Sequence, residues 1–308
     1  MARRGNGVVS NRSQLVFAAV DIADPRDLQT VLRRHGVRAA TSLGQRFLVD
    51  RSVLKDIVEA AELSAEDDVL EVGPGPGVLT AQLAERVRSV TAVEIDQRMI
   101  AVLRDTLSAH QNVTVVRADA LEVDLFALAE RRPTRIVANV PYQITTPLLE
   151  RFIGDDRRPP LIVVLVQEEV ARRVVATASS GKERGYLSVF VQSFAEARIV
   201  RRVPARSFRP APKVGSAVVA LRTHTRPAFD PLERHAFLRF VSDVFRHRRK
   251  QLRGALGHEA GVTPDRAEAA LRACGIDPKR RAEELTLAEW VALARGLDVP
   301  TDPSRARP

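Results

Sequence analysis

The sequence predicts an α/β domain built on a parallel sheet, followed by a smaller all-helical domain. Short β-branched runs alternate with helical patterns from about residue 68 to residue 178. Such alternation calls for parallel strands joined by right-handed crossover helices. A loop of alternating glycine and proline, Gly73 to Gly77, directly follows the first run, Asp68-Val69-Leu70-Glu71-Val72. After about Arg226 no strand-like run remains and helical segments take over.

Residues 1–25 read as a flexible extension. Leu28, Val31 and Leu32 share one face and predict a helix over 26–36. A second helix is expected over 52–61, with Ser52 as its cap. Strands follow at 68–72, 90–94, 113–117, 135–139 and 161–166, with helices near 78–88, 97–109, 146–153 and 168–178. The stretches 187–200 and 214–222 read as two long strands, an antiparallel pair closing the sheet edge, separated by Pro204, Pro210 and Pro212. Pro227 and Pro231 mark a boundary between a domain over 26–226 and a helical one over 227–298. The second domain carries helical segments near 231–245, 247–257, 264–273 and 286–296, and 299–308 reads as a disordered tail.

A net charge of +10 and a pI near 10.7 point to a polyanionic partner. Only five of the 48 basic residues are lysines. Arginine suits phosphate because its planar fork bonds two oxygens at once, although genomic base composition gives the same bias. Cys274 is the only cysteine, which excludes a disulfide within the chain and a cysteine-based zinc site. It fits a reducing compartment, and a cytoplasmic location is expected. The longest apolar stretch, Leu161 to Val166, has the length of a buried strand and not of a membrane span. The six histidines show no metal-ligand spacing, so no metal is expected.

Gly73-Pro74-Gly75-Pro76-Gly77 lies where an α/β fold holds a nucleotide-like cofactor. A dinucleotide fingerprint needs its third glycine at position 78, where Val78 stands. The pattern fits a cofactor without a pyrophosphate, and S-adenosyl-L-methionine is the reading it supports; a bare strand-to-helix turn is the alternative. Glu94, about twenty residues past the glycines, is placed to accept from both ribose hydroxyls. Asp119 follows the third strand and is placed either to meet the cofactor's adenine amino group or to cap a helix.

Asn139-Val140-Pro141-Tyr142 ends the fourth strand. Adenine N6 is a weak nucleophile because its lone pair is delocalised into the ring. The Asn139 side-chain oxygen and a carbonyl at Val140 or Pro141 offer two acceptors that favour a pyramidal nitrogen. Positioning and electrostatics then carry the reaction without a strong base. Tyr142 would stack on the extruded base, and Phe208 is a candidate second wall. The alternative for Tyr142 and Phe208 is core packing. Arg246, Arg248, Arg249, Lys250 and Arg253 form a basic block, expected on a helix, that reads as a phosphate-gripping surface or as a solvated face.

Six ordered segments carry a resemblance. They are Leu43 to Asp50, Gly73 to Thr80, Val93 to Asp96, Asn139 to Pro147, Val166 to Arg173 and Phe208 to Val219. In this order they resemble the KsgA family of small-subunit ribosomal RNA adenine dimethyltransferases, and the likeness runs from about residue 28 to 296. It implies a Rossmann-like, S-adenosyl-L-methionine-dependent methyltransferase domain with a helical RNA-binding domain. The implied activity is N6,N6-dimethylation of two adjacent adenines in a 3′-terminal hairpin of small-subunit RNA during ribosome biogenesis. The implied partner is the pre-assembled small subunit; no obligate protein partner is inferred. Carried over by position, the cofactor residues are Arg46, Leu48, Gly73, Glu94, Asp119 and Asn139; the glycine loop itself adds Gly75, and the catalytic candidates read from the residues are Asn139, Pro141, Tyr142 and Phe208. The chain departs from the family pattern at Arg46, where asparagine is usual, and at Gln143 and Val140. Two rivals remain: an Erm-type large-subunit RNA methyltransferase, against which Pro147 and the basic block 248–250 speak, and a non-catalytic RNA-binding assembly factor.

Overall fold

The structure is a computed structural model that describes residues 22–37, 46–226, 229, 231–259, 262–297 and 299. Leu43 to Gln45, the extension up to residue 21, the boundary residue Pro227 and the tail 300–308 lie outside the described residues. In chain order the elements are α1 (Pro25–Arg34), β1 (Phe47–Leu48), α2 (Arg51–Ala60), β2 (Asp68–Val72), α3 (Val78–Ala84), β3 (Ser89–Glu94), α4 (Gln97–Thr106), β4 (Val113–Arg117) and β5 (Arg135–Asn139). Then come α5 (Thr145–Gly154), β6 (Leu161–Gln167), α6 (Glu168–Val175), α7 (Tyr186–Phe194), β7 (Ala195–Val203), β8 (Phe208–Arg209), β9 (Ser216–Thr223), α8 (Pro231–Arg246), α9 (Leu252–Glu259), α10 (Pro264–Ala273) and α11 (Leu287–Gly296).

The expected α/β class is what the chain adopts. A seven-stranded sheet runs β4-β3-β2-β5-β6-β9-β7. The strands from β4 to β6 are parallel, and β9 and β7 complete the edge antiparallel. β2, β5 and β6 bury both faces, and β5 and β6 accordingly read as continuous apolar runs and not as alternating ones. One face of the sheet packs a cluster through Leu70, Ile136, Phe152 and Phe194; the other packs Val69, Val137, Leu83 and Ile57.

Three local readings are corrected. The cap of α2 is Asp50, whose carboxylate accepts from the backbone amides of Ser52 and Val53. Ser52 is already inside the helix and bonds the same carboxylate with its hydroxyl. Residues 22–25 belong to the fold: Asp24 caps α1 and Ile22 is buried against the sheet. The strand expected from residue 187 starts only at Ala195, because 186–194 form α7. Leu187, Val189, Phe190, Val191 and Phe194 have β-like character but are buried around nearly the whole helix, between the sheet and the C-terminal helices. Tertiary packing overrides intrinsic preference here.

α8 to α11 share a hydrophobic cluster around the fully buried Trp290, which also takes in Val189 of α7. Arg184 ties the two parts together. It is buried, and donates to the carbonyls of Leu285 (3.1 Å) and Ala176 (2.9 Å) and to Gln192 Oε1 (2.9 Å). Arg234 of α8 donates to the Gly154 carbonyl (3.1 Å) and Asp156 Oδ1 (2.7 Å) beyond α5.

Candidate functional site

β2 pairs with β3 on one side and β5 on the other. The crossovers leave in opposite directions, which opens a crevice at the carboxyl ends of these strands, the usual ligand site of such sheets. The glycine loop after β2, Glu94 at the end of β3, Asp119 after β4 and Asn139 at the end of β5 line one pocket there. Arg46, Leu48, Gly75, Pro141 and Tyr142 line it too. Gly73 has φ +74, and a Cβ at that position would stand 3.2 Å from Pro141 Cδ. Only a glycine lets the two loops approach this closely.

The catalytic candidates are held by specific bonds. Asn139 Nδ2 donates to the Arg46 carbonyl (3.3 Å), which leaves Oδ1 as the accepting end of the amide. The Arg46 interaction is a backbone one, so the change from the family's usual asparagine leaves it intact. The Val140 amide donates to the Leu165 carbonyl (3.2 Å). The Pro141 carbonyl accepts from the Ile144 amide and Thr145 Oγ1, both at 3.2 Å. Among the described residues no donor engages the Val140 carbonyl, so Val140, not Pro141, is the acceptor left for an amino group. Tyr142 shares a 2.7 Å hydrogen bond with Ser216 Oγ on β9, which fixes its ring. Burial pushes the Tyr142 hydroxyl above its ordinary value, with Ser216 and the Arg46 charge opposing. It stays a neutral phenol.

The acidic residues divide by partner. Glu94 accepts from the Asp96 amide (2.8 Å) and the Gly75 amide (3.3 Å), so it braces the glycine loop. Burial raises its carboxyl and these backbone bonds resist the rise. Asp119 Oδ1 accepts from the Leu121 amide (2.8 Å) in a turn that no helix directly follows, so the expected helix cap is not formed, and Asp119 lines the pocket. Glu71, on β2 beneath the loop, is only 1% exposed. Burial pushes its carboxyl up to about 8, the nearby Glu94 charge adds to this, and Thr80 opposes it. Glu71 Oε2 has no hydrogen-bond partner among the described residues.

Sequence reasoning passed over Glu71, Ile95 and Arg151. Ile95 lines the pocket while 53% exposed, an apolar face open to it. Its signal was a large aliphatic residue directly after the strand-end carboxylate. Arg151 of α5 donates to the carbonyls of Leu121 (2.8 Å) and Val123, and so clamps the Asp119 loop to the helix that follows the Asn139–Tyr142 turn.

Two site expectations are not met. Phe208 is 0% exposed, packed in the cluster with Leu48 and Val53, because β8 pairs with β1 and turns the ring inward. It presents no stacking face to the pocket. The basic block does not lie on one helix: Arg246 ends α8, residues 247–251 form a turn, and Arg253 is in α9. The apolar residues Phe245 and Leu252 that flank it are both core, and the turn joins them. Arg253 also pairs with Glu268 (3.2 Å) and Arg246 with Asp243 (3.4 Å).

Comparison with known proteins follows the same lines. The profile of the family Ribosomal RNA adenine dimethylase matches residues 36–298. The chain is 42% identical over 287 residues to the Ribosomal RNA small subunit methyltransferase A of Leuconostoc mesenteroides, covering 90% of this chain and 96% of that one. It is 39% identical over 285 residues to the protein of the same name from Geobacillus thermodenitrificans, covering 90% and 97%. Among solved structures, the 23S rRNA methyltransferase ErmE is 31% identical, with a TM-score of 0.64, covering 82% of this chain and 99% of that one. A dimethyladenosine transferase from Plasmodium falciparum shares the fold, with a TM-score of 0.69 at 22% identity, covering 80% of this chain and 95% of that one. With the pocket at the sheet's switch point and a profile match across most of its length, the chain belongs to the ribosomal RNA adenine dimethylase family.

Proposed function

We propose that this protein is a cytoplasmic enzyme that transfers methyl groups from S-adenosyl-L-methionine to N6 of two adjacent adenines near the 3′ end of small-subunit ribosomal RNA, within the pre-assembled subunit. The observation that carries the reading is the Asn139-Val140-Pro141-Tyr142 turn packed against the glycine loop in one pocket. Residues 26–226 would be the methyltransferase unit and 227–298 the RNA-reading unit.

The residues fit the cofactor. Glu71 lines the pocket with a buried oxygen, Oε2, that has no partner among the described residues, and its neutral carboxyl leaves a hydrogen bond to offer a ligand there. Ile95 offers an exposed apolar face beside Asp119 for an adenine, and Glu94 keeps lone pairs for ribose hydroxyls. Arg46, Leu48, Gly73, Gly75 and Asn139 would complete the cradle. When bound, the cofactor supplies an electrophilic methyl group.

Asn139 Oδ1 and the Val140 carbonyl would each accept one N6 hydrogen, which localises the nitrogen lone pair and aims it into the pocket. Tyr142, fixed by Ser216, would hold the base by stacking. Neither acceptor is basic enough to keep a proton. The proton that the methylated N6 must shed passes to water at the pocket mouth.

The relatives named for the small subunit support that substrate. The likeness to ErmE makes large-subunit RNA the competing one. Primer extension separates them: unmodified small subunits incubated with enzyme and cofactor should acquire stops at two adjacent adenines. Stops in large-subunit RNA alone would move the chain to the Erm-type reading. No stops in either RNA would refute the activity.

A further inference from the structure

We infer that the loop from Arg206 to Val214, together with Arg46, is the track for the RNA strand flanking the target adenine. This deepens the function proposed above and rests on it. Both ends of the loop adjoin residues that line the pocket. At one end β8 pairs with β1, setting Arg209 opposite Phe47, which lines the pocket. At the other end Ser216 holds the Tyr142 hydroxyl at 2.7 Å. A base inserted beside Tyr142 brings its neighbours across this loop.

Among the described residues no acid forms an ion pair with the charges on the loop. Arg206, Arg209 and Lys213 are exposed, and Arg46 is half-buried beside them. Other arginines pair with acids, such as Arg88 with Asp68 and Arg201 with Asp56. Among the described residues none of these four forms an ion pair. The nearby carboxylates are engaged elsewhere: Asp50 bonds Ser52 and Ser207, and Glu168 pairs with Arg202 at 3.5 Å. Arg209 is propped in place by donating to the carbonyls of Arg206 (3.1 Å) and Phe208 (3.0 Å). Unpaired cations beside the pocket suit a phosphate backbone.

Val214, 49% exposed, adds an apolar face. An exposed valine between Lys213 and the tyrosine-holding β9 fits the face of an unpaired base, and single-stranded binding combines cations with such platforms. The chemistry selected is a single-stranded polyanion with apolar rings.

The test is methylation kinetics on unmodified small subunits across a salt series, with cofactor affinity measured separately. In Arg206→Ala/Arg209→Ala/Lys213→Ala the KM for the particle should rise about tenfold at near-physiological salt, and the salt slope should flatten by about two, at roughly 0.7 per lost contact. The cofactor Kd should not move. Arg206→Ala/Lys213→Ala, which removes no internal hydrogen bond, should show about two thirds of the slope change. Exchanging the charges conservatively, Arg206→Lys/Arg209→Lys/Lys213→Arg, should restore the slope. Unchanged KM and slope in both alanine variants, with an active wild type, would overturn the inference alone. So would a conservative variant as impaired as the alanine one, since that marks a structural role. A wild type that methylates no ribosomal RNA would remove the proposed function and this inference with it.

Discussion

Glu71→Gln should change how stability depends on pH. Glu71 lies under the glycine loop with one carboxyl oxygen unpaired among the described residues, and burial pushes its carboxyl up to about 8. Below the ordinary carboxyl value both folded and unfolded chains hold the proton, and no stability is lost. As pH rises, the unfolded chain releases its proton first. The folded chain must either keep the proton or bury a charge, so stability falls until the folded value is passed. With an ordinary carboxyl near 4.5, the loss between about pH 5 and pH 7 is about 2–3 kcal/mol. Glutamine has the same shape and does not titrate, so this decline should vanish. Urea midpoints of both proteins, taken across that range, read the effect directly. Glu94 rises in the same direction and remains in both proteins, so the difference between the two curves isolates Glu71. Parallel curves would refute the protonated Glu71.

Glu94→Ala should weaken cofactor binding by about 2–3 kcal/mol, because two charge-assisted bonds to the ribose go and the Gly75 amide loses its partner; calorimetry with wild-type affinity would sink the ribose assignment. Asn139→Ala should stay folded yet lose most methyl transfer at saturating RNA, and near-normal incorporation would mean another group orients N6. Tyr142→Phe should keep the stack but lose the 2.7 Å bond to Ser216, costing about 1 kcal/mol of stability and little activity; a large activity loss would give the hydroxyl a chemical role. Arg184→Ala leaves the buried carbonyls of Leu285 and Ala176 unpaired and should destabilise by about 3 kcal/mol or more, seen as a lower denaturant midpoint; an unchanged midpoint would show that the C-terminal helices dock without it.

The parallel strands were legible because each is an apolar run of strand length between turn residues, and Asp68–Val72, Val113–Arg117 and Arg135–Asn139 fall at the expected residues. The pocket candidates were legible because they sit at strand ends, whose placement follows once the sheet order is known. What failed depended on long-range neighbours. The side chains of α7 are β-like, and only the helices packed around it explain its form. The inward turn of Phe208 follows from a two-residue pairing with Phe47 and Leu48, more than 150 positions away in sequence. Local pattern carries no signal for it. The basic block seemed helical because helix formers fill it, yet its flanks, Phe245 and Leu252, must both enter the core, which requires a turn. The burial of Glu71 was hidden because a carboxylate at the end of a strand ordinarily faces water.

The contact between Gly73 and Pro141 makes two distant stretches of chain into one cooperative object. The space that any larger residue at 73 would need is occupied by the proline ring. A side chain at 73 would therefore have to displace the Pro141 ring, so a change in one loop is felt in the other. The Gly73 amide is tied to Val93 and the Val140 amide to Leu165, on different strands, yet both should become exchangeable in the same opening event. The glycine loop and the Asn139–Tyr142 turn, which line one pocket, are in this way packed as a unit.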